Sequence, residues 1–168
     1  TKTGKTVAII GGGAAGLTTA WKLVRKGHDV TVFEADERMG GKMEQVIPRT
    51  RLPGQTLAKE LKRIEDMGVV FKTNTKISAE KFAELRADFD AVVVATGGHI
   101  GRVFPWPGHE RLVKGIEFLK AVNKGQNPKV GKRVIVIGCG NSGMDAAVGA
   151  YQMGAEQVTC IDVQRPAA

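Results

Sequence analysis

The sequence predicts an α/β protein, a parallel sheet with flanking helices built from two βαβ units. Three observations carry that prediction. Residues 7–16 read Val-Ala-Ile-Ile-Gly-Gly-Gly-Ala-Ala-Gly, four apolar residues and a glycine turn, and lead into the helical run 17–25. A second apolar run, 30–33, closes on Glu34, 18 residues after Gly16. The arrangement then returns, its strand, turn and helix at an offset of 127 with Gly4/Gly131, Lys5/Lys132, Val7/Val134 and the turn glycines identical, and its second strand and acid one inserted residue later.

The first turn has the spacing G-x-G-x-x-G at Gly11, Gly13 and Gly16. Gly11 lets the chain leave a strand sharply, Gly13 lets a pyrophosphate approach bare backbone, and Gly16 lets the helix pack closely on the strand. The phosphates would rest on the unpaired first amides of the helix, at its positive dipole end, and Glu34 would accept from an adenosine ribose. A glycine turn with strand, helix and acid in place is a dinucleotide-binding fingerprint, which a bare glycine match is not.

The elements follow in order. Residues 6–35 make one βαβ unit: a strand at 6–10, a helix at 14–26 stopped by Gly27, and a strand at 29–34. Residues 35–54 hold Gly40-Gly41-Lys42 and two prolines and predict a long irregular loop, a length that usually serves function. An amphipathic helix follows at 55–67 with Leu57, Leu61 and Ile64 at helical spacing, then a short strand at 69–72. Ser78 caps a helix to about 87, and 91–95 is a buried strand ending at Thr96-Gly97-Gly98. In an open parallel sheet the ligand crevice lies beyond the carboxyl ends of the strands, where Ile10, Glu34 and Ala95 deliver their loops. Residues 98–108, with Pro105 and Pro107, read as a crossing linker and 116–122 as a short helix. The second fingerprint is Gly138, Gly140 and Gly143, and its terminal acid is Asp162, 19 residues after the last glycine. The domain reading is 1–100 for the first unit, 101–130 for a linker and 131–168 for the opening βαβ unit of a second, truncated domain.

Composition narrows the classes. The chain of 168 residues is 42% hydrophobic and 25% charged, ordinary for a globular protein with a real core. Its 25 Lys+Arg against 17 Asp+Glu give a net charge of +8. The basic residues are scattered and aromatics are 5%, so nothing interleaves cations with stacking residues, and nucleic acid is not the expected partner. No apolar run is long enough to cross a bilayer, and the opening Thr1-Lys2-Thr3-Gly4-Lys5 has no signal segment. The expectation is a cytoplasmic protein without a membrane partner. The start without methionine points to a chain excised from something longer. Cys139 and Cys160 are too few for a disulfide framework and sit in no C-x-x-C or metal-ligand pattern, so both read as small apolar filler.

Two dinucleotide sites imply two cofactors, and the economical chemistry is hydride passing from a nicotinamide to a flavin. The chain resembles the two-dinucleotide flavoprotein superfamily of pyridine nucleotide-disulfide oxidoreductases. Within it the likeness is to the glutamate synthase small subunit and its relatives, among them the flavoprotein halves of dienoyl-CoA reductase and trimethylamine dehydrogenase. The residues that carry it are Gly4-Lys5 with the first turn, Glu34, Gly40-Gly41, Ile47-Pro48 with Arg51-Leu52-Pro53, Ala95-Thr96-Gly97, Pro107-Gly108 and the run 118–123. The I-P-x-x-R-L-P element is far more specific than either glycine turn.

That resemblance implies a Rossmann-like FAD/NAD(P)-binding fold, FAD on the first unit and NAD(P)H on the second. Gly11, Gly13, Ala15, Gly16, Glu34, Ala35, Gly41, Lys42 and Leu52 would line the FAD path, with Ile77 near adenine and Ala95, Thr96 and Gly97 where the chain crosses out. Gly138, Gly140, Asn141, Ser142 and Asp162 would line the nicotinamide dinucleotide. No catalytic side chain and no metal ligand are assigned. Ala14 stands where relatives often carry proline, a mild change at a helix start. Relatives return to the FAD domain after the nicotinamide domain, and the glutamate synthase group carries iron–sulfur cysteines ahead of it. Neither feature is in this sequence, so the expectation is part of an enzyme, inactive alone, whose partners are other domains or subunits of a redox enzyme, iron–sulfur proteins among them. The alternative is a non-catalytic nucleotide-binding scaffold within a redox complex.

Several residues have two readings. His99 and His109 lie in a glycine/proline linker where the sequence places no catalytic acid or thiol motif within reach, which favours solvated loop residues over catalytic ones. Trp21 and Trp106 read as packing. Met39 and Met43 either touch cofactor or fill gaps. Arg49 and Arg51 either meet phosphate or flavin or are simply exposed. Asp162 favours NAD(H) over NADP(H), because a carboxylate about 4 Å from a 2′-phosphate repels it by up to about 4 kcal/mol near a surface, on the order of tenfold to a hundredfold after solvent screening. Gly143 leans the same way, whereas Arg165 resembles the arginines that hold a 2′-phosphate.

Overall fold

The computed structural model describes residues 1–101, 103 and 105–163. The chain divides into two compact units, one of Thr1–Glu44 with Leu52–Gly98, the other of Gln45–Arg51 with His99–Ala168.

The first unit is a four-stranded parallel sheet in the order β3-β2-β1-β4. Its strands are β1 (Thr6–Ile10), β2 (Asp29–Phe33), β3 (Val70–Lys72) and β4 (Ala91–Val94). β1 is central, with Ile10 opposite Phe33 on one side and Val94 on the other. Alternate residues of β1 therefore feed two cores, one on each face. Val7 and Ile9 join Val30, Val32, Ala20, Met39 and Val69 on one side, against Leu23 of helix α1 (Ala14–Arg25) and Leu61 and Ile64 of helix α3 (Gly54–Asp66). Ala8 and Ile10 join Phe33 and Leu85 on the other, against Phe82 of helix α4 (Ala79–Asp88). A strand covered on both faces needs a continuous apolar run, which is why β1 carries Val-Ala-Ile-Ile; β4, expected to be buried, is an edge strand, with Val92 and Val93 half-buried and Val94 61% exposed. Ser78 caps α4 as expected, its hydroxyl accepting from the Lys81 amide at 3.3 Å.

The loop expected to be irregular over 35–54 contains one helical turn, α2 (Lys42–Gln45). Gly40 and Gly41 make this turn possible by both adopting positive φ, 119° and 53°. Elsewhere the expected helices and strands agree with the observed bounds to within a residue or so.

The second unit holds α5 (Gly115–Asn123), β5 (Arg133–Ile137), α6 (Asn141–Gln152) and β6 (Gln157–Ile161). β5 and β6 are a parallel pair with Val134 opposite Val158 and Ile137 opposite Ile161. Leu119 of α5 is its most buried large side chain, and α5 crosses α6 at Gly149, where an added Cβ would stand 3.1 Å from Phe118 Cε1. Ile135, Ile137 and Ile161 are exposed, so one face of this two-stranded sheet carries apolar side chains in solvent.

Candidate functional site

Both fingerprints form the same object, and the hydrogen bonds explain why. At the end of β1, Gly11 takes φ 111° and its N–H donates to the Phe33 carbonyl at 2.8 Å. A Cβ there would run into the Ala95 carbonyl oxygen, so β1 is pinched between β2 and the chain leaving β4. Gly16 is closed off too, because its Cβ would overlap the Gly11 carbonyl oxygen; this is the close packing of helix on turn. Gly13, at the N-cap of α1 with φ −80°, is open: a Cβ would meet nothing nearer than Gly41 Cα at 3.9 Å.

Glu34 ends β2 as a buried carboxylate. Its Oε2 accepts from the Gly12 amide at 2.8 Å and its Oε1 from the Asp36 amide at 3.0 Å. The acid thus clamps the turn from within, and each oxygen keeps a lone pair for a further donor. Gly40-Gly41 closes over the same turn, with the Gly40 amide donating to the Gly12 carbonyl at 2.7 Å. Met39 resolves toward packing: it is buried in the sheet core, and its sulfur fills the place a Gly12 side chain would occupy.

The second unit repeats the clamp. Gly138 takes φ 102° and donates to the Ile161 carbonyl at 2.8 Å; the Cys139 amide donates to Asp162 Oδ2 at 2.6 Å. A Cβ on Gly143 would overlap the Gly138 carbonyl oxygen, whereas one on Gly140 meets nothing within 4 Å. The glycine at 143 therefore answers to backbone packing in this turn. The two turns differ in setting. Glu34 is buried, while Asp162, Cys139, Asn141 and Ser142 are exposed.

Neither α1 nor α6 has a side-chain cap on its first amides or an acid in its first turn. Each helix start therefore offers amide donors and a positive dipole end beside a glycine without a side chain, an arrangement that holds an anion.

Gly11, Gly13, Ala15, Gly16, Glu34, Ala35, Ala95, Thr96 and Gly97 gather at the carboxyl ends of β1, β2 and β4, with Gly41 and Lys42 at the loop that closes on them. Ile77 packs on the opposite face of the sheet, against the cluster of Ala8, Ile10, Phe33 and Leu85. Leu52 belongs to the first unit, directly after a stretch assigned to the second. Gly138, Gly140, Asn141, Ser142 and Asp162 surround the second turn. Arg165 lies outside the described residues. His109 bonds the Trp106 carbonyl through Nδ1 at 2.7 Å, and Trp21 packs beneath Lys22 and Arg25 at 4.9 and 4.7 Å from its ring centre. Desolvation, with the Asp162 carboxylate beside it, pushes the Cys139 thiol up, away from the thiolate that redox chemistry uses. Both cysteines are free. Among the described residues there is no metal-binding cluster and no helix long and apolar enough to cross a membrane.

Sequence reasoning missed one feature. Arg51 Nη1 donates to both oxygens of Asp145 at 2.8 Å, pairing residues 94 apart. The available signal was Asp145 itself, an acid inside the apolar run Met144-Asp145-Ala146-Ala147.

A parallel sheet, paired glycine turns and an acid clamping each turn define a two-turn α/β protein of the dinucleotide-binding class. More particularly, residues 5–167 match the family pyridine nucleotide-disulphide oxidoreductase, and the chain belongs to that family. It is 38% identical over 169 residues to the glutamate synthase [NADPH] small chain of Mycobacterium tuberculosis, covering 91% of this chain and 35% of that one. It is 35% identical to the NAD-dependent dihydropyrimidine dehydrogenase subunit PreT of Escherichia coli, over 96% of this chain and 40% of that one. The fold is shared with the solved structure of Mycobacterium tuberculosis FprA in complex with NADPH, at a TM-score of 0.78 and 20% identity, over 94% of this chain and 43% of that one. The chain thus spans well under half the length of the relatives it matches.

Proposed function

We propose that the whole protein is a flavoprotein oxidoreductase that takes hydride from NAD(P)H into FAD and passes the electrons to another domain or subunit. The observation that carries this reading is the duplicated clamp: two uncapped helix starts, each beside a glycine whose missing Cβ leaves the approach open, and each turn held by an acid at the end of the next strand. Family membership supports the redox class, and the two relatives are named as a chain and a subunit of larger enzymes, which supports a further electron acceptor.

FAD fits the first turn, whose acid is buried, and NAD(P)H the second, whose acid and helix start are exposed and suit a nucleotide that comes and goes. When bound, FAD would supply a two-electron acceptor for hydride and a one-electron donor to the next carrier. The chain's own residues bind and orient. The amides of Ala15 and Gly16 would meet the FAD pyrophosphate, with Gly13 leaving space for it, and Glu34 would take the ribose hydroxyls on its remaining lone pairs. Ala35, Gly41, Lys42, Leu52, Ile77, Ala95, Thr96 and Gly97 complete the assignment on that side. Asn141 and Ser142, with Gly138 and Gly140, would take the second pyrophosphate and Asp162 the ribose. In this reading the FAD role falls to 1–100, the connection to 101–130 and the start of the nicotinamide domain to 131–168, a division of roles that differs from the compact units, in which 45–51 and 101–130 go with the second, and the chain by itself is inactive. Two free cysteines suit a reduced, cytoplasmic setting.

The nicotinamide cofactor in this reading is NADH, because Asp162 would face a 2′-phosphate. The relatives' names lean the other way: the glutamate synthase small chain, a formate dehydrogenase subunit and an NADPH-Fe(3+) oxidoreductase subunit carry NADP(H), and PreT carries NAD. Steady-state kinetics of the full-length protein decide it. Wild type should show the higher kcat/KM with NADH, and Asp162→Ala should raise NADPH use by on the order of tenfold. A wild type that prefers NADPH, with no gain from Asp162→Ala, removes the acid from the ribose. Absence of a flavin spectrum in the purified full-length protein would favour the scaffold reading instead.

A further inference from the structure

Charge is divided unevenly between the two units. By sequence the second holds eleven Lys+Arg against five Asp+Glu, a net +6, and the first fourteen against twelve, a net +2, which together make the +8 of the chain. Within the second unit the excess is concentrated. Between Glu117 and Asp145 stand Lys120, Lys124, Lys129, Lys132 and Arg133, and no acid. Asp145, at the end of that interval, is buried with both oxygens on Arg51 Nη1 at 2.8 Å, so its charge is already matched. Lys132 Nζ pairs with Glu156 at 2.9 Å, and the other four cations have no acid partner among the described residues. The first unit treats its cations differently: Lys2, Lys5, Lys62, Arg63 and Lys81 pair with Asp29, Asp90, Asp66, Glu60 and Glu84 in turn. Lys124, Lys129 and Arg133 are exposed. Lys120 and Lys124, four apart at the end of α5, repel each other, and the negative end of the helix dipole offsets that. The dipole accounts for those two only, since Lys129 lies in the connection after α5 and Arg133 opens β5. A bound dinucleotide does not account for the rest, because the second glycine turn follows the far end of β5, about 15 Å from Arg133 along the strand.

We propose that stretch 120–133 is a docking surface for an acidic face of the electron-accepting domain or subunit, and that it acts through the rate of encounter. The inference rests on the electron-transfer reading above and adds to it the chemistry of the partner. Four of the five cations are lysines, compact charges on flexible stems that attract without the bidentate geometry arginine brings to phosphate. No aromatic residue stands between Phe118 and Tyr151, so the stretch has no platform on which bases could stack. Both features favour an acidic protein over a nucleic acid. The two relatives named as a chain and a subunit of larger enzymes agree with a protein partner. Steering by such charges raises association rates by about tenfold to a thousandfold at low salt and fades as salt screens it.

The experiment uses the full-length protein, driven by whichever of NADH and NADPH it prefers, with two haem proteins of opposite surface charge as acceptors: acidic cytochrome b5 and basic cytochrome c. Each hydride brings two electrons to the flavin, and two haem irons each take one. Raising the ionic strength should slow reduction of cytochrome b5 and not that of cytochrome c. Lys124→Glu with Lys129→Glu should lower kcat/KM for cytochrome b5 about tenfold at low ionic strength and leave cytochrome c no slower. The stopped-flow rate of flavin reduction by the nucleotide should stay within about twofold, because a rim charge acts on encounter and not on the hydride step. Lys124→Gln with Lys129→Gln should fall between wild type and the reversal, and it carries the test where the reversed protein fails to fold. Lys26→Glu with Lys59→Glu makes the same change of net charge on exposed lysines of the first unit, and should cost less than about threefold. An equal loss from both pairs means that net charge is at work and not this stretch, which overturns the inference. A wild type that does not reduce cytochrome b5, or does so at a rate indifferent to salt, overturns it too. Wild-type binding of a short DNA duplex that the reversal abolishes, with cytochrome b5 reduction unchanged, assigns the stretch to nucleic acid instead. If neither nucleotide reduces a flavin in wild type, the electron-transfer reading fails and this inference with it; normal flavin reduction with equal cytochrome b5 rates in wild type and reversal defeats the inference alone.

Discussion

Glycines six residues or fewer apart in one turn answer to different constraints. Gly16 touches protein: its Cβ would overlap the Gly11 carbonyl oxygen, a backbone atom that cannot swing away. Gly13 touches almost nothing, with 3.9 Å to the nearest atom and an ordinary φ of −80°. Gly16→Ala should therefore destabilise the first unit by about 1–3 kcal/mol, the usual range for overpacking, and bring flavin loss as a consequence. Gly13→Ala should cost only about 0.5–1 kcal/mol at an N-cap, yet empty the full-length protein of flavin because the methyl stands where the pyrophosphate must come. Thermal melts and the ratio of flavin to protein absorbance separate the two. A Gly13→Ala protein that keeps its flavin would show that the phosphates lie elsewhere.

Among the elements, β1 is the one on which others depend, and its start is held as deliberately as its end. Asp90, just before β4, accepts from the Thr6 amide at 2.8 Å and from Lys5 Nζ at 2.7 Å, tying the first residues of β1 to those of β4. The Lys5 hydrogen bond first, and then the Thr6 amide, hold the Asp90 carboxyl at about 2, below the usual carboxylate range. A depressed carboxyl stabilises the fold above its unfolded pKa, near 4, and loses that contribution as pH falls through its folded value. Asp90→Asn should therefore lower Tm at neutral pH, and the gap from wild type should close as pH falls from about 4 to about 2. A gap independent of pH would mean that the shape of the side chain matters and its charge does not.

On the scale of the whole molecule, the two units repeat one motif at different levels of support. In the first, Ile9 and Val32 are fully enclosed by a four-stranded sheet with helices on both faces. In the second, the equivalent strands form a two-stranded sheet whose Ile135 is 67% exposed. Two strands alone are marginal in water, and little apolar burial means a small cost of local opening. In chain 1–168, amides of β5 and β6 should exchange at least about tenfold faster than those of β1 and β2, measured by mass spectrometry at neutral pH. Equal protection in the two units would show that the second draws on a source of stability its burial does not reveal.

The sequence by itself determined what depends on neighbours in the chain: strand, turn and helix around Gly11–Gly16 and Gly138–Gly143, the repeat at 127, the parallel sheet that two such units require, and Ser78 as a cap. Each is a local pattern whose physics, a positive φ or an apolar period, is complete within a few residues. Only the tertiary structure decided that Glu34 and Asp162 bond the amides of the turns they face, that Met39 fills the space beside Gly12, that Ile77 joins the core of the far face, and that 45–51 is part of the second unit. Sequence patterns record which face of an element is apolar but not which distant group will meet it. Arg51 and Asp145, 94 residues apart, show the reason most plainly: an arginine in a proline loop and an acid in an apolar helix each have several acceptable surroundings, and burial selects the one in which their charges cancel.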